Sequence, residues 1–454
     1  MIKYSTDHRG KTLAIMVGGG PAPGINGVIR SVTIQAINSG LKVIGIYDGF
    51  SWLMEGDSSR HTELHIDDVS RIHYDGGSYL RTSRANPTTS QERLDAVVHA
   101  LSELGVDYLV TIGGDDTATS AMMVDRLAGP QIEVAHVPKT IDNDLPLPGH
   151  MPTFGYETAR HHGVGITQAI IVDAQTTTRW YFLVSMGRKA GHLALGIGKA
   201  AGATLTLIGE EFRDRKISLA TLADILEGSL IKRMAMGRPY GVAVLAEGLS
   251  DRLDPDELNR NAEIERDSHG NIRYGEIELG RMLKNEVRRR LKERGINVTI
   301  VDKDIGYELR CADPIPFDLE YTQDLGYAAV MYLLAGGSGS IVTIDRGQLI
   351  PISFADMLDE KTGKARIREV DIDSDSYKVA RHYMIRLEDA DFEDPKSVAR
   401  LATIGRMQPT EFDRKFRYLI NDPPVRSDAD AVAGEPPAAS ETGPEASEEE
   451  RARR

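Results

Sequence analysis

Residues 12–37 read TLAIMVGGGPAPGINGVIRSVTIQAI. Leu13 to Val17 are apolar without alternation, as a strand buried on both faces would be. Gly18-Gly19-Gly20-Pro21-Ala22-Pro23-Gly24 then turns the chain, and a helix starting near Pro23 or Gly24 runs through Ile25 to Ile37. Strand, glycine-rich turn and helix form the first unit of a parallel sheet wrapped by crossover helices, so the fold class is α/β. The alternation repeats, with candidate strands at Thr12 to Val17, Lys42 to Tyr47, Tyr108 to Ile112, Ile132 to Val137, Trp180 to Val184, Thr204 to Ile208, Val242 to Ala246 and Asn297 to Val301. Ligands of such sheets bind beyond the carboxyl ends of the strands. Between Glu276 and Arg294, the apolar residues Ile277, Leu279, Met282, Leu283, Val287 and Leu291 share one helical stripe ringed by Arg and Lys, the pattern of a scaffold helix.

The chain has 454 residues, room for two or three domains of roughly 150 residues each. Its net charge of −14 repels nucleic acid phosphates and anionic lipid, so neither nucleic acid nor membrane is expected as a partner. Any phosphate must be held by local groups. The single cysteine, Cys311, excludes an internal disulfide. Lys199 interrupts the best apolar run short of the ~20 residues of a membrane span, and Met1 to Lys11 lacks a signal-peptide core. A soluble cytoplasmic protein is expected. Asp251 to Tyr274 is polar and charge-dense, a surface excursion, and residues 424–454 form a Pro, Ala, Ser, Gly and Glu-rich acidic tail too poor in apolar residues to order.

Four loops carry the chemistry. In the first, Gly18 to Gly24, small residues let backbone N–H groups approach an anion; a plain tight turn and a loosened dinucleotide fingerprint with Asp48 as ribose acceptor are the competing readings. The dinucleotide reading would make the chain a nicotinamide-dependent oxidoreductase. The second loop, Gly76-Gly77-Ser78-Tyr79-Leu80-Arg81-Thr82-Ser83-Arg84, mixes donors, hydroxyls and two guanidinium groups suited to a polyanion, or is a solvated turn. The third, Thr111-Ile112-Gly113-Gly114-Asp115-Asp116-Thr117, sets two carboxylates beside a double glycine, good for Mg²⁺ next to a phosphate, although either aspartate could simply cap the next helix. The fourth, Pro138-Lys139-Thr140-Ile141-Asp142-Asn143-Asp144, offers a cation, a hydroxyl and two bases around one point. Its structural alternative is an Asx-rich loop closed by its own hydrogen bonds.

These loops, in this order, with Met186-Gly187-Arg188, Ala246-Glu247-Gly248 and Gly306-Tyr307-Glu308-Leu309-Arg310, resemble the phosphofructokinase superfamily from about Leu13 to Ala329, and less distinctly to about Arg386. The resemblance implies two Rossmann-like three-layer αβα domains: 1–153 plus about 309–360 on the phosphoryl-donor side, and 154–308 plus about 361–420 on the sugar-phosphate side. It implies phosphoryl transfer to the 1-hydroxyl of fructose 6-phosphate in glycolysis, with Asp142 as base and Thr140 and Asp144 in support. It also implies Asp115 as the Mg²⁺-linked carboxylate, and Gly20, Arg84, Gly114, Asp116, Thr117 and Lys139 around the donor. Met186, Gly187, Arg188, Glu247, Tyr307 and Arg310 would line the sugar-phosphate pocket, with Arg188 also stabilising the transferring group. Arg179 would reach the 6-phosphate of a neighbouring subunit in a homodimer or homotetramer. Val301 stands where the family has a basic residue, so Lys303 is offered as a 6-phosphate partner, against its reading as an exposed strand-end lysine.

Two positions bear on the donor. By resemblance, ATP-dependent bacterial members usually carry glycine at the positions of Asp116 and Lys139, whereas pyrophosphate-dependent members carry Asp and Lys. Independently, a carboxylate at Asp116 adds bulk and like charge where an α-phosphate and nucleoside would sit, and Lys139 supplies a point charge for a compact anion. Pyrophosphate is therefore the expected donor. Pro21, Tyr307 and the segment Arg310 to Asp318 also depart from the ATP-dependent pattern. The alternatives are an ATP-dependent kinase of the same fold and a non-catalytic regulatory subunit, the latter opposed by an intact Asp142 and Asp115.

Overall fold

The computed structural model describes residues 8–147, 151–213, 215–255, 277–357 and 366–421. The acidic tail and most of the expected surface excursion lie outside them. The strands are β1 (Thr12–Val17), β2 (Lys42–Ile46), β3 (His61–Glu63), β4 (Val106–Gly113), β5 (Glu133–Pro138), β6 (Trp180–Ser185), β7 (Leu205–Leu207), β8 (Gly241–Ala246), β9 (Ile300–Ile305), β10 (Ser340–Asp345) and β11 (Gln348–Ser353). Helices of eight or more residues are α1 (Ile25–Asn38), α2 (Gln91–Glu103), α3 (Asp115–Ala128), α4 (Tyr156–Thr177), α5 (His192–Ala201), α6 (Leu219–Ala235), α7 (Leu279–Glu293), α8 (Pro316–Leu334), α9 (Asp375–His382), α10 (Pro395–Ile404) and α11 (Pro409–Phe416).

Two sheets organise these elements. The larger runs β11-β10-β5-β4-β1-β2-β3 and is parallel except at its two edges, where β3 and β11 are antiparallel. The smaller runs β7-β8-β6-β9, wholly parallel. Parallel strands need helices on both faces, and the apolar residues divide accordingly. Leu13, Ile15 and Val17 of β1 face α1 and α8, while Ala14 and Met16 face the side of α2 and α3. The smaller sheet is likewise covered twice, Phe182 on one face with Leu283 and Val287 of α7, and Leu183 on the other with Leu193 and Ile197 of α5. The scaffold reading of the arginine-rich α7 holds among the described residues: its apolar stripe is buried and Arg290 pairs with Asp224 of α6 at 2.6 Å.

One expected strand is displaced. Asn297 to Val301 gives way to β9 at Ile300–Ile305, because the backbone of 300–305 pairs in parallel with Trp180–Ser185 while its charged side chains stand at the sheet edge, Asp302 on Lys284 at 2.5 Å. Edge strands accept charge on their outer side, so polarity concealed this strand from a hydrophobicity reading.

The two halves are joined by Asp318, in the first turn of α8. Its fully buried carboxylate accepts from the backbone N–H groups of Gly155 at 2.8 Å and Thr158 at 2.9 Å and from the Thr158 hydroxyl at 2.5 Å, capping the start of α4. Orphan N–H groups at a helix start are thus satisfied from another helix. Truncating it strands three donors, so Asp318→Ala should cost about 2–4 kcal/mol in urea unfolding, while Asp324→Ala, exposed on the same helix, should stay within about 0.5 kcal/mol.

Candidate active site

The carboxyl ends of β1, β4 and β5 in the larger sheet and of β6 in the smaller one open on a single cleft of about 390 Å³. Residues following β8 and β9, Glu247, Tyr307 and Arg310, complete its lining. The first loop is held by the second: Gly19 N–H donates to Ser83 O at 2.7 Å, and the Thr82 hydroxyl donates to Gly19 O at 2.7 Å. Asn26, at the start of α1, fixes the second loop by accepting from Tyr79 N–H at 2.7 Å and donating to Asp75 O at 3.0 Å. Backbone approach is close where the loops meet. A Cβ on Gly113 would lie 2.3 Å from Thr117 Cβ, and one on Gly20 2.2 Å from Arg310 Nη2. Buried His136 secures the end of β4, its Nδ1 2.8 Å from the Thr111 hydroxyl and its Nε2 3.0 Å from Gly113 O. Burial lowers its pKa to about 3, so the ring is neutral.

Lys139 is only 4% exposed, and its ammonium donates to Gly20 O, tying the β5 loop to the β1 loop. Burial, reinforced by the Arg310 guanidinium, lowers its pKa to about 8. Asp142 is 8% exposed. Its backbone N–H donates to Thr140 Oγ1 at 3.0 Å, and among the described residues its buried Oδ1 has no hydrogen-bond partner. Burial pushes its carboxyl up to about 7, and the neighbouring Asp144 adds to the rise. Asp144 is raised in turn by burial and by Asp115.

Arg188 crosses from the smaller half. Its Nη1 lies 3.3 Å from Asp115 Oδ1 and its Nε 3.9 Å from Asp142 Oδ2. It sits in the left-handed region, φ 48°, and Glu247 Oε2 accepts from the backbone N–H groups of Gly187 at 3.0 Å and Arg188 at 3.1 Å. A glutamate therefore holds in place the turn that aims the guanidinium. Asp115 and Asp116 open α3, where carboxylates favour the helix dipole. Asp116 is raised by burial and by Asp115.

Of the residues singled out from the sequence, the cleft gathers Gly20, Arg84, Gly114, Asp115, Asp116, Thr117, Lys139, Thr140, Asp142, Asp144, Met186, Arg188, Glu247, Tyr307 and Arg310. Gly187 contributes through its backbone bond to Glu247. Two stand apart. Lys303 is exposed on the edge strand β9, and Arg179 is exposed at the amino end of β6, a strand's length of roughly 20 Å from Met186. Asp48 does not line the cleft either. Its carboxylate accepts from Trp52 Nε1 at 2.9 Å and pairs with Arg81 at 3.6 Å, which removes the ribose acceptor of the dinucleotide reading. Sequence reasoning missed Arg368, whose guanidinium binds the backbone of the Asp142 loop. It lies in an unpatterned segment with no motif to mark it.

Among the described residues no cluster of three or more His, Cys, Asp or Glu side chains could enclose a metal ion. Mg²⁺ does not need one, since it keeps several waters and takes one or two carboxylates together with substrate phosphates. Asp115, with its carboxyl 39% exposed at the cleft, and Asp116 beside it fit that requirement. No helix among the described residues is long and apolar enough to cross a membrane.

The Phosphofructokinase family model matches residues 12–333. The pyrophosphate–fructose 6-phosphate 1-phosphotransferase of Thermotoga maritima is 53% identical over 416 residues, covering 90% of this chain and 99% of that protein. The protein of the same name from Naegleria fowleri is 49% identical over 418 residues, 90% of this chain and 96% of its own length. An ATP-dependent 6-phosphofructokinase from Corynebacterium efficiens is 31% identical over 75% of this chain and 92% of that protein. The crystal structure of a pyrophosphate-dependent phosphofructokinase from Marinobacter aquaeolei gives a TM-score of 0.62 over 82% of this chain and 90% of that one, at 20% identity, a likeness of fold. The α/β architecture, the strand-end loops and a family model spanning most of the sequence lead to one conclusion: this chain belongs to the phosphofructokinase family.

Proposed function

We propose that this chain transfers a phosphoryl group reversibly from pyrophosphate to the 1-hydroxyl of fructose 6-phosphate, giving fructose 1,6-bisphosphate and phosphate in the cytoplasm. The observation that carries the reading is the Asp142 carboxylate, buried at the cleft with one oxygen unpartnered among the described residues and an ammonium and a guanidinium nearby. A general base needs a carboxylate that can accept a hydroxyl proton and is not already committed to a partner. The two relatives sharing about half of its residues, both named for this reaction, support it.

In this assignment the larger half, about 1–153 and 309–360, holds the donor, and the smaller, about 154–308 and 361–420, holds the sugar phosphate. Gly20, Arg84, Gly114, Asp116, Thr117 and Lys139 surround pyrophosphate; Met186, Gly187, Arg188, Glu247, Tyr307 and Arg310 hold the sugar. Asp142 takes the proton of the attacking hydroxyl while Lys139 and Arg188 spread the developing charge, so that catalysis is mainly positioning and charge stabilisation. Thr140 and Asp144 orient and tune Asp142. Mg²⁺, held by Asp115, would neutralise charge on the pyrophosphate oxygens. Lys303, exposed on β9 and outside the cleft lining, is kept as a 6-phosphate partner beside Arg179. Arg179, remote from its own cleft, serves the 6-phosphate site of a second copy in a homodimer or homotetramer. A pyrophosphate bond and a sugar phosphate ester are close in transfer potential, which makes the reaction reversible.

Three outcomes test this. With fructose 6-phosphate and Mg²⁺, Asp142→Asn should lower kcat at least about 100-fold while sugar binding, measured by calorimetry, changes little; near-normal turnover would remove the base. Asp116→Gly should raise the ratio of ATP to pyrophosphate kcat/KM by roughly 10-fold, and more when combined with Lys139→Gly. An unchanged ratio would instead support the ATP-dependent alternative, provided ATP already served the unaltered chain. Finally, the base must be ionised and the ammonium protonated. Activity should therefore rise as pH passes about 7, where Asp142 loses its proton, and fall as pH passes about 8, where Lys139 loses its own. Lys139→Arg should move the alkaline limb upward, since a guanidinium stays charged; a profile flat from pH 6 to 9 would contradict both assignments.

A further inference from the structure

Residues 366–373 form a strap without regular secondary structure that runs between the two sheets. On one side it is bound to the loop after β5. Arg368 N–H donates to Asp144 O at 2.7 Å, Arg368 Nε to Asn143 O at 3.0 Å and Nη1 to Met151 O at 2.8 Å, while Nη2 donates to Asn143 Oδ1. On the other side it is bound to the start of α5. Arg368 O lies 3.0 Å from His192 Nε2, and Val370 N–H donates at 3.1 Å to Glu210 Oε1, which also accepts from Gly191 N–H at 2.8 Å. Val370 is buried in the core shared by α4, α5 and the smaller sheet.

Asn143 lies between the two carboxylates of the loop and adopts a left-handed conformation, φ 56°. Asparagine tolerates this region better than most residues, but a conformation of this kind persists only where its surroundings impose it. Here Arg368 binds both the carbonyl and the side-chain oxygen of Asn143, and Thr153 N–H adds a second donor to that oxygen at 3.1 Å. The planar fork of a guanidinium suits this multidentate hold in a way that a single ammonium cannot reproduce. Arg368 does not line the cleft, so it acts on the chemistry only through the loop.

We infer that Arg368 is a positioning residue: its guanidinium locks the Asn143 turn and so fixes the directions of Asp142 and Asp144, while its own backbone anchors that loop to the smaller half. The inference rests on the base role proposed for Asp142. A displacement of about 1 Å in a reacting group costs on the order of 100-fold in rate, which sets the scale of the test. Arg368→Ala should lower kcat by about 10- to 100-fold and leave KM for fructose 6-phosphate within about 3-fold. Arg368→Lys should fall between the two. In an Asp142→Asn background, Arg368→Ala should cost less than about 3-fold, because the group it positions is no longer a base. Should the alanine variant fail to fold, Arg368→Lys carries the same cycle. Equal losses in both backgrounds, or an unchanged kcat in a folded Arg368 variant, would overturn the inference. Loss of turnover in Asp142→Asn alongside a normal Arg368 variant would sink this inference alone, whereas normal turnover in Asp142→Asn would sink the base reading beneath it.

Discussion

Arg188 holds two carboxylates of the opposite half within reach of one guanidinium, 3.3 Å from Asp115 and 3.9 Å from Asp142. The rest of the cleft depends on this pairing. Burial alone would drive Asp142, Asp144 and Asp116 toward their neutral forms, and neighbouring carboxylates work in the same direction, Asp144 on Asp142 and Asp115 on both Asp144 and Asp116. Arg188 and Lys139 oppose that tendency at Asp142. The balance leaves a carboxyl whose proton is labile near neutrality.

Such a balance requires fixed distances, and the molecule supplies them through hydrogen bonds between side chains and the backbone of the loops. Glu247 holds the turn under Arg188, His136 holds the end of β4, and the Lys139 ammonium binds the first loop at Gly20. Asp318 then ties α8 to the start of α4, and the strap around Arg368 ties the Asp142 loop to α5. Several of these partners satisfy a polar group that burial would otherwise leave unpaired. Stability and alignment of the cleft therefore share the same hydrogen bonds.

The α/β class and most strands were legible because a parallel sheet buried on both faces demands nearly continuous apolar runs, and β1 occupies Thr12–Val17 as its residues predict. The strand-end loops were legible because glycine, aspartate and lysine packed into so few residues serve turns and ligands rather than cores. β9 was not, since its charges sit on a sheet edge. Asp48 shows the reverse error. It stands at a strand end as a ribose acceptor would, yet Trp52 and Arg81 occupy its carboxylate.

Sequence by itself determined most of the strands, though not β3, β10 or β11, and the kinds of groups the loops carry, because local periodicity and side-chain chemistry are properties of neighbouring residues. Only the tertiary structure decided which of those groups meet. That Arg188 faces Asp115 across 73 positions, and that Arg368 closes on Asn143 across 225, follows from how two separately wound sheets pack and is written in no local pattern. The burial that shifts the protons of Asp142 and Lys139 arises from the same packing, because it depends on everything that surrounds a group in space.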